Sequence, residues 1–306
     1  MKKPRCDILL AGNPRWAKVL CDELAAEGSS ACLHSGLRKS LRQLKPAAMW
    51  KFVSASVVHW VSGTTRQVPL FSLAKRRKKK VVLHWIGTDV VQLRDYLSLS
   101  KRLPAFYGEL IDIHLADSPS LQQELRELGI LSQVVRLLPQ TVEAEVQPLP
   151  EQPAVLAYWS DESRAEFYGG SFILSLARNL PNIPFYIVGS GRGKMVDAPS
   201  NVMFLGDVSD MDEVYRKTTV FVRFIQHDSL SAMVLEALAR GRYVLYSKPF
   251  PHTTMLLGLQ DGLAALQKAF SATTPNTEGA EYVRENFSWR AEISKLKEIY
   301  GRLSGG

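Results

Sequence analysis

Two carboxylates in the second half of the chain are the residues best spaced for chemistry. Asp228 follows an apolar, strand-like run at residues 220–225, and Glu236 lies eight residues later within an apolar run of helical spacing. A helix that begins near residue 230 would point unpaired N–H groups at an anion in front of it. A buried carboxylate on that helix needs a polar partner, and the vicinal diol of a ribose would suit it. An exposed glutamate on a surface helix fits the same spacing.

A glycine-rich loop follows another predicted strand. Gly189, Gly191 and Arg192 lie in the sequence Gly-Ser-Gly-Arg-Gly, directly after the apolar run at residues 185–188. Glycines let backbone N–H groups approach a ligand closely, and an arginine adds positive charge for phosphates. A dinucleotide-binding loop also needs a helix start with a third glycine at the right offset, which this loop lacks, so a plain turn explains it equally well.

The elements that carry these loops alternate between strands and helices. Apolar strand patterns occur at 6–12, 56–61, 80–85 and 111–117, and again at 154–158, 185–189, 201–206, 220–225 and 243–246. Such alternation predicts parallel sheets with right-handed crossovers, and hence two Rossmann-like units. Ligands of parallel sheets bind beyond the carboxyl ends of the strands, where the loops described above lie. A proline-rich stretch at 141–153 predicts a domain boundary, placed between residues 148 and 149.

Positive charge is concentrated in the first half. Residues 28–88 hold twelve lysines and arginines and no acid, which indicates an anionic partner or simply a solvated surface. Arg38, Lys39, Arg42 and Lys45 precede Trp50 and Phe52, and residues 75–80 are all basic. Basic residues beside large apolar ones favour an anionic membrane surface, contacted through residues 38–52 and 75–80. Nucleic acid is a weaker prediction because aromatic residues are not interleaved with the basic run.

Other features restrict the compartment. The best apolar run, residues 52–61, has about half of the ~20 residues that a membrane span needs. The run at residues 8–11 is too short for the core of a signal peptide. We therefore expect a cytoplasmic protein that can lie at the inner face of the cell membrane. The three cysteines, Cys6, Cys21 and Cys32, have no zinc-ligand spacing and are predicted to be reduced thiols.

Residues 227–241 resemble the E-x7-E motif of retaining family 4 glycosyltransferases. Asp228 stands at the first acid position, where aspartate replaces the usual glutamate, and Glu236 stands at the second within Leu-Glu-Ala-Leu-Ala-Arg-Gly. The resemblance is diffuse elsewhere over residues 55–303. It implies an α/β GT-B fold, in which two Rossmann-like domains with parallel sheets face a cleft and a C-terminal helix crosses back to the N-domain. The implied domains are 1–148 for the acceptor, 149–285 for the nucleotide sugar and 286–306 for the returning helix.

The resemblance also implies donor-side roles. The first acid, Asp228, would contact the transferred sugar, and the second, Glu236, would hold the nucleotide ribose. Backbone N–H groups at Ser231, Ala232 and Met233 would face the phosphates. Gly189, Gly191, Arg192 and Arg164 would complete the nucleotide site. The family usually has Gly-Arg-Leu-x3-Lys after the first C-domain strand, and here Trp159 replaces its arginine while Arg164 replaces its lysine.

On the N-domain side, residues 81–89 resemble the loop whose histidine faces the transferred sugar. That position is His84, for which a core histidine is an equal alternative, whereas His59 is predicted to be structural. Gly12, Arg15 and Asp89 would lie on the acceptor side.

The implied activity is sugar transfer from a nucleotide-diphosphate sugar, with retention and with no metal or other cofactor. The acceptor would be membrane- or lipid-linked. Two alternatives remain at this point: a non-catalytic GT-B partner subunit, which the tryptophan at residue 159 favours, and a nucleic-acid-binding protein.

Overall fold

A computed structural model describes residues 6–62, 67–189 and 197–304. The chain forms two units, of which the first combines Met1–Leu137 with Trp289–Gly306 and the second is Leu138–Ser288. Each unit contains a six-stranded sheet in which all pairs of strands are parallel. The predicted alternation of strands and helices is therefore confirmed in both halves.

The sheet of the first unit has the strand order β2-β1-β3-β4-β5-β6. Its central strands are buried on both faces, as expected for a parallel sheet covered by helices. The strands are β1 (Ile8–Gly12), β2 (Ala31–Leu33), β3 (Val57–Val61), β4 (Lys80–Trp85), β5 (Ile113–Ala116) and β6 (Gln133–Val134). The helices are α1 (Pro14–Ala26), α2 (Leu37–Arg42), α3 (Pro46–Ser54), α4 (Val68–Arg76), α5 (Thr88–Ser100), α6 (Phe106–Glu109) and α7 (Pro119–Glu127).

The sheet of the second unit has the order β12-β11-β10-β7-β8-β9. Its strands are β7 (Val155–Tyr158), β8 (Phe185–Val188), β9 (Val202–Gly206), β10 (Val220–Arg223), β11 (Tyr243–Tyr246) and β12 (Thr254–Met255). Its helices are α8 (Gly170–Asn179), α9 (Met211–Arg216), α10 (Ala232–Ala239), α11 (Leu259–Phe270) and α12 (Thr277–Asn286), and 3-10 turns occur at Glu162–Arg164 and Glu166–Tyr168. Because β7 and β10 are adjacent at the centre, the loops after them share one edge of the sheet.

The second unit begins at Leu138, whereas the proline-rich stretch predicts a boundary between residues 148 and 149. Residues 138–148 belong to the second unit because buried side chains of that unit bind them. The guanidinium of Arg242, which is fully buried, donates to the carbonyl groups of Gln147 and Pro148, the latter at 2.9 Å. The carbonyl of Thr218 accepts a further bond at 3.0 Å. The prolines mark irregular backbone, but packing around Arg242 decides to which unit the segment belongs.

The last helix, α13 (Trp289–Ser304), belongs to the first unit, as the resemblance implied. Ile293, Leu296 and Ile299 are buried on one stripe of the helix. The carboxylate of Glu292, which is also buried, accepts the backbone N–H of Arg136 at 2.9 Å. The helix therefore contributes both apolar contacts and a hydrogen-bond acceptor to the unit in which the chain begins.

The prediction of three reduced cysteines is wrong for two of them. Cys6 and Cys32 form a disulfide, with their Cα atoms 5.7 Å apart. Parallel pairing of β1 with β2 places Leu9 beside Cys32, and Cys6 lies two residues before the start of β1. A separation of 26 residues concealed this proximity in the sequence. Cys21 is the free cysteine, and burial raises the pKa of its thiol.

Candidate functional site

The start of α10 lies at the carboxyl end of β10, where a parallel sheet binds its ligands. Ser231 is the N-cap of this helix, and its side chain accepts the N–H of Val234 at 3.4 Å. The N–H groups of Ala232 and Met233, in the first turn, have no partner within the helix, as at the start of every α-helix. The helix begins two residues later than the sequence predicted, so Ser231 caps it rather than lying inside it.

Glu236 is a buried carboxylate on an apolar helix. Its exposed fraction is 8%, and Leu235, Ala237 and Leu238 beside it are fully buried. One carboxylate oxygen accepts the hydroxyl of Tyr215 at 3.0 Å, and the other accepts the hydroxyl of Thr141 at 3.3 Å. The alternative of an exposed surface glutamate is therefore wrong. The side chain is an acceptor in a pocket of hydroxyl donors.

Asp228 is held by groups at the ends of two neighbouring strands. Its carboxylate accepts Nε of Arg223 at 2.5 Å and the hydroxyl of Tyr246 at 2.7 Å. Arg223 and Tyr246 are register partners on β10 and β11, so the sheet itself fixes their spacing. Burial would lower the pKa of Arg223, but the adjacent Asp228 carboxylate raises it above its usual value. Burial and the same carboxylate raise the pKa of Tyr246.

Arg240 connects this site to α9. Its guanidinium donates to the carboxylate of Asp212, with Nε at 2.6 Å, and to the carbonyl of Glu236 at 3.0 Å. The same group lies over the ring of Tyr215, 4.8 Å from its centroid. Arg240 therefore orients the tyrosine whose hydroxyl binds Glu236.

The partners of the two acids were missed by the sequence analysis. Thr141 and Tyr215 lie 95 and 21 residues from Glu236 in the chain, so no local spacing links them to it. Arg223 stands only five residues before Asp228, but the sequence does not tell which way a side chain at a strand end points.

Of the other donor-side residues, Arg164 and Gly189 are described. The guanidinium of Arg164 lies over the rings of Phe167 and Tyr168, at 4.8 and 5.3 Å from their centroids. Gly189 has φ +89°, and a Cβ there would lie 2.4 Å from the ring of Tyr158, so the close packing requires glycine. Gly191 and Arg192 lie outside the described residues.

Trp159, which stands where the family usually has an arginine, is a core residue. Its side chain is fully buried and its ring meets that of Phe204 edge-on, with centroids 5.7 Å apart. Its indole N–H has no hydrogen-bond partner among the described residues. An arginine at this position would place a charge in the apolar core, so the change from the family pattern involves the surrounding packing as well as one side chain.

His84 lies in the core of the first unit and has no exposed surface. Three hydrogen bonds form a chain through this core. The hydroxyl of Tyr300 lies 2.5 Å from Nδ1 of His59, and Nε2 of His59 lies 3.3 Å from Nδ1 of His84. Nε2 of His84 lies 2.8 Å from the carbonyl oxygen of Val135. Because the carbonyl can only accept, His84 carries a proton on Nε2. With both rings neutral, Nδ1 of His84 accepts from Nε2 of His59, and Nδ1 of His59 accepts from the hydroxyl of Tyr300. Both rings are then fully bonded, which corresponds to the core alternative rather than to a histidine that faces a sugar.

Burial also sets the protonation of this pair. It lowers the pKa of His84 to about 4, against the opposing effect of the bond to Val135. Burial and the neighbouring ring of His84 lower the pKa of His59 well below its usual range.

The three residues predicted on the acceptor side have local structural contacts. Gly12 has φ +105°, and a Cβ there would lie 2.0 Å from the carbonyl oxygen of Val61, so β1 and β3 can meet only at a glycine. The buried carboxylate of Asp89 accepts the N–H groups of Gly87 at 2.9 Å and Val90 at 3.1 Å. Arg15 is exposed in the first turn of α1, and its guanidinium lies 5.4 Å from the centroid of the Trp16 ring.

The basic segments of the first unit are divided between structure and surface. Lys75 binds both carboxylate oxygens of Asp112 at 2.9 Å, and the buried Lys79 donates to the carbonyl groups of Val53 and Ala55. Burial lowers the pKa of Lys79. Other members of the predicted surface remain exposed: Lys39, Arg42, Lys45, Arg76, Arg77 and Lys78.

Two kinds of feature do not occur in residues 6–62, 67–189 and 197–304. No helix there is both long and apolar enough to cross a bilayer. No three His, Cys, Asp or Glu side chains in the same ranges are grouped so that they could hold a metal ion.

Comparison with known proteins identifies both the segment that contains the two acids and the fold. Residues 169–267 match the family model described as glycosyl transferases group 1. A sucrose-phosphate synthase from Thermosynechococcus elongatus is similar over 98% of this chain and 100% of its own, with a TM-score of 0.72 at 14% identity. A glycosyltransferase from Rickettsia africae is similar over 98% and 99%, with a TM-score of 0.70 at 13% identity.

The pneumococcal O-GlcNAc transferase GtfA, solved in complex with UDP and GlcNAc, is similar over 82% of this chain and 57% of its own, with a TM-score of 0.56 at 12% identity. Curated protein sequences contain no match to the chain. The solved structures confirm the two-domain GT-B fold. Together with the family match, they confirm the resemblance to GT-B glycosyltransferases and support sugar transfer as the activity.

Proposed function

We propose that this protein transfers a sugar from a nucleotide-diphosphate sugar to an acceptor, with retention of the anomeric configuration and without a metal or other cofactor. The observation that carries the proposal is the buried Glu236 carboxylate on α10, eight residues after Asp228. Both acids lie in the segment that matches the glycosyl transferase family model. UDP bound to the similar O-GlcNAc transferase supports a nucleotide donor.

Glu236 would bind the ribose of the donor. An ionised carboxylate only accepts hydrogen bonds, and a vicinal diol supplies two O–H donors side by side. Tyr215 and Thr141 already donate to this carboxylate and hold it in one orientation. The ribose hydroxyl groups would add to this set of donors.

The start of α10 would face the diphosphate. Ser231, Ala232 and Met233 bring N–H groups to the positive end of the helix dipole, where an anion is favoured. Arg164 and Arg192 are the side-chain cations that we assign to the same phosphates. When the diphosphate leaves, negative charge develops on it, and fixed dipoles aimed at that charge stabilise the transition state.

Asp228 would orient the transferred sugar, and its substitution separates turnover from binding. We expect Asp228→Asn to lower kcat by about tenfold or more while it changes the KM for the donor less, because positioning matters most in the transition state. Steady-state kinetics with the identified donor measure the two effects. The same variant loses the ion pair with Arg223, whose side chain is 10% exposed, so its thermal unfolding must be measured alongside. Equal effects on kcat and KM in a folded variant would contradict the role.

The acceptor, in this proposal, is membrane- or lipid-linked, and the protein acts at the inner face of the cell membrane. The cations that are exposed in the first unit support this, and they lie in a segment, residues 28–88, that contains no acid of its own. Nucleic acid fits less well, because no aromatic ring among the described residues of 28–88 is exposed for a base to stack on.

A thermal-shift panel tests the donor. UDP, GDP, ADP, CMP and NAD, each with and without an attached sugar where one exists, are compared with buffer. A ligand at ~100 times its Kd adds about 2.7 kcal/mol of stability, which is a readable shift in Tm. We expect one nucleoside diphosphate and its sugar to stand out. Turnover in the presence of a chelator and the anomeric configuration of the product by NMR then test metal independence and retention.

One observation favours a second candidate, a non-catalytic partner subunit. Trp159 occupies the core at a position where the family usually has an arginine for the diphosphate. A nucleotide sugar that stabilises the protein but is never transferred would favour this candidate. A flat panel would contradict the donor-binding proposal itself.

A further inference from the structure

Exposed apolar side chains of the first unit gather in one groove. A cavity of about 340 Å³ lies between α2, α3 and the end of α4 and is lined by Leu41, Leu44, Met49, Phe52, Val53, Leu73, Arg77 and Lys79. We call it the α2–α4 groove. Four of these residues are among the large apolar side chains that remain exposed: Leu44 at 69%, Val53 at 67%, Met49 at 41% and Leu73 at 38%. Apolar surface concentrated in this way indicates a contact site.

The floor of the groove is fixed by Lys79. Its ammonium donates to the carbonyl groups of Val53 (3.0 Å) and Ala55 (2.5 Å) at the end of α3 and lies 5.2 Å from the centroid of the Phe52 ring. The charge is thereby turned toward backbone carbonyls, while the aliphatic stem covers apolar surface. Lys79 therefore links the floor of the groove to the end of α3.

Leu44 adopts a backbone conformation that is unfavourable for leucine. It follows α2 with φ +51°, in the left-handed region that glycine or asparagine usually occupies at the end of a helix. Its N–H bonds to the carbonyl of Leu41 at 3.0 Å, as in a helix-ending turn. A leucine there is less favourable than glycine and leaves most of its side chain in water. Folding therefore gives no reason for a leucine, and contact with an apolar ligand does.

The rim of the groove is positive. Arg77 lines it, and Arg42, Lys45, Arg76 and Lys78, which flank lining residues in the chain, are exposed. Because residues 28–88 contain no acid, none of these cations has an acidic neighbour within that segment. An aliphatic groove with a cationic rim is complementary to an anionic bilayer surface, since its apolar side chains would meet the acyl chains and its cations would meet the phosphates.

We propose that the α2–α4 groove is the site at which this protein inserts into an anionic phospholipid bilayer, with Leu44, Met49, Val53 and Leu73 entering the acyl region and Arg77 at the phosphates. This proposal names the surface that would bring the protein to a membrane-linked acceptor, and it rests on the proposed function only for that acceptor. The apolar side chains involved are not the ones that the sequence suggested, because Phe52 is buried and Trp50 is half-buried against the core.

Vesicle flotation tests the site. The full-length protein is mixed with vesicles of phosphatidylcholine alone or of phosphatidylcholine with phosphatidylglycerol, at low and high salt. We expect binding to the anionic vesicles only, weakened by salt because the rim charges are exposed. Leu44→Gly and Val53→Gln should each weaken that binding about tenfold, as loss of a buried aliphatic side chain does. Arg77→Gln should weaken it and reduce its salt dependence.

A matched control separates the groove from general hydrophobicity. Leu99 is 88% exposed on α5 of the same unit and does not line the groove, so Leu99→Gln should bind like the wild type. Leu44→Gly should also keep or raise Tm, because glycine suits the left-handed conformation. Weakened binding by this variant at an unchanged or higher Tm would exclude misfolding as the cause.

The outcomes are distinct. Binding by Leu44→Gly and Val53→Gln that equals the Leu99→Gln control would overturn the proposal, as would the absence of binding to anionic vesicles. Salt-dependent binding to duplex DNA without vesicle binding would assign the basic rim to nucleic acid and also overturn it. The nucleotide thermal shift should persist in every groove variant. Failure of the groove would thus leave the donor proposal standing, and a flat nucleotide panel would leave the vesicle result standing.

Discussion

Replacing Glu236 by alanine is expected to lower the affinity for the nucleotide-diphosphate sugar by roughly 100-fold or more. A hydrogen bond to a charged group contributes about 1.5–3 kcal/mol, and the two ribose hydroxyl groups would lose two such bonds. The fold should survive with a lower Tm, because alanine is the best helix former but the hydroxyl groups of Tyr215 and Thr141 lose their acceptor. Tm without ligand and the Tm shift with the donor measure the two effects separately.

Two further variants make the Glu236 result interpretable. Glu213→Ala removes an acid from α9 of the same unit, where the side chain is exposed and paired with Lys217, and it should leave the donor shift unchanged. Tyr215→Phe keeps the carboxylate but removes one of its hydroxyl partners, so it should weaken binding less than Glu236→Ala does. A wild-type donor shift in Glu236→Ala would contradict the ribose role.

Lowering the pH from 7 to 4 is expected to remove roughly 3 kcal/mol of folding free energy through His84 alone. The unfolded histidine takes up a proton near pH 6.5, whereas burial keeps the folded one neutral down to about pH 4. Between these values the unfolded state binds more protons, so stability falls as the pH falls. Above about pH 6.5 and below about pH 4, His84 does not change the free energy of unfolding with pH. His59 acts in the same direction, since its pKa is also lowered.

Urea unfolding followed by circular dichroism at pH 7, 6, 5 and 4 checks this expectation. His84→Gln removes one titrating ring, so its free energy of unfolding should depend less steeply on pH than that of the wild type, whatever its stability at pH 7. His252→Gln is the control, because this histidine lies in the second unit and is exposed. Identical slopes for the wild type and His84→Gln would show that the buried pair does not govern acid unfolding.

Features that depend on short stretches of chain could be predicted from the sequence. The strand, loop and helix around Asp228 and Glu236 follow from apolar periodicity, and the parallel sheets follow from the alternation of elements. The spacing around Glu236 predicts a buried and an exposed side chain equally well, because periodicity alone does not tell which side of an apolar helix faces the sheet. The contacts in the folded unit decide it.

Features that depend on distant contacts could not be predicted. Lys79 belongs to a run of six basic residues, yet its ammonium binds carbonyl groups of α3 more than twenty residues earlier. His84 resembles a loop histidine of a known family, but its ring is bonded to His59 and Val135, which adjoin it only in the folded sheet. In both cases the sequence predicts a functional position, a charged surface for Lys79 and a sugar contact for His84. In the folded unit both side chains are buried.

The route of the chain also determines when each part can be completed during synthesis. The second unit is a continuous segment, Leu138–Ser288, whereas the first needs residues from both ends of the chain. Tyr300 is made 241 residues after His59, its hydrogen-bond partner. At about 5–20 residues per second, the N-terminal sheet would wait roughly 10–50 s on the ribosome for that hydroxyl group. The unit that begins first is therefore finished last, and in the interval the segment between its two parts can already fold.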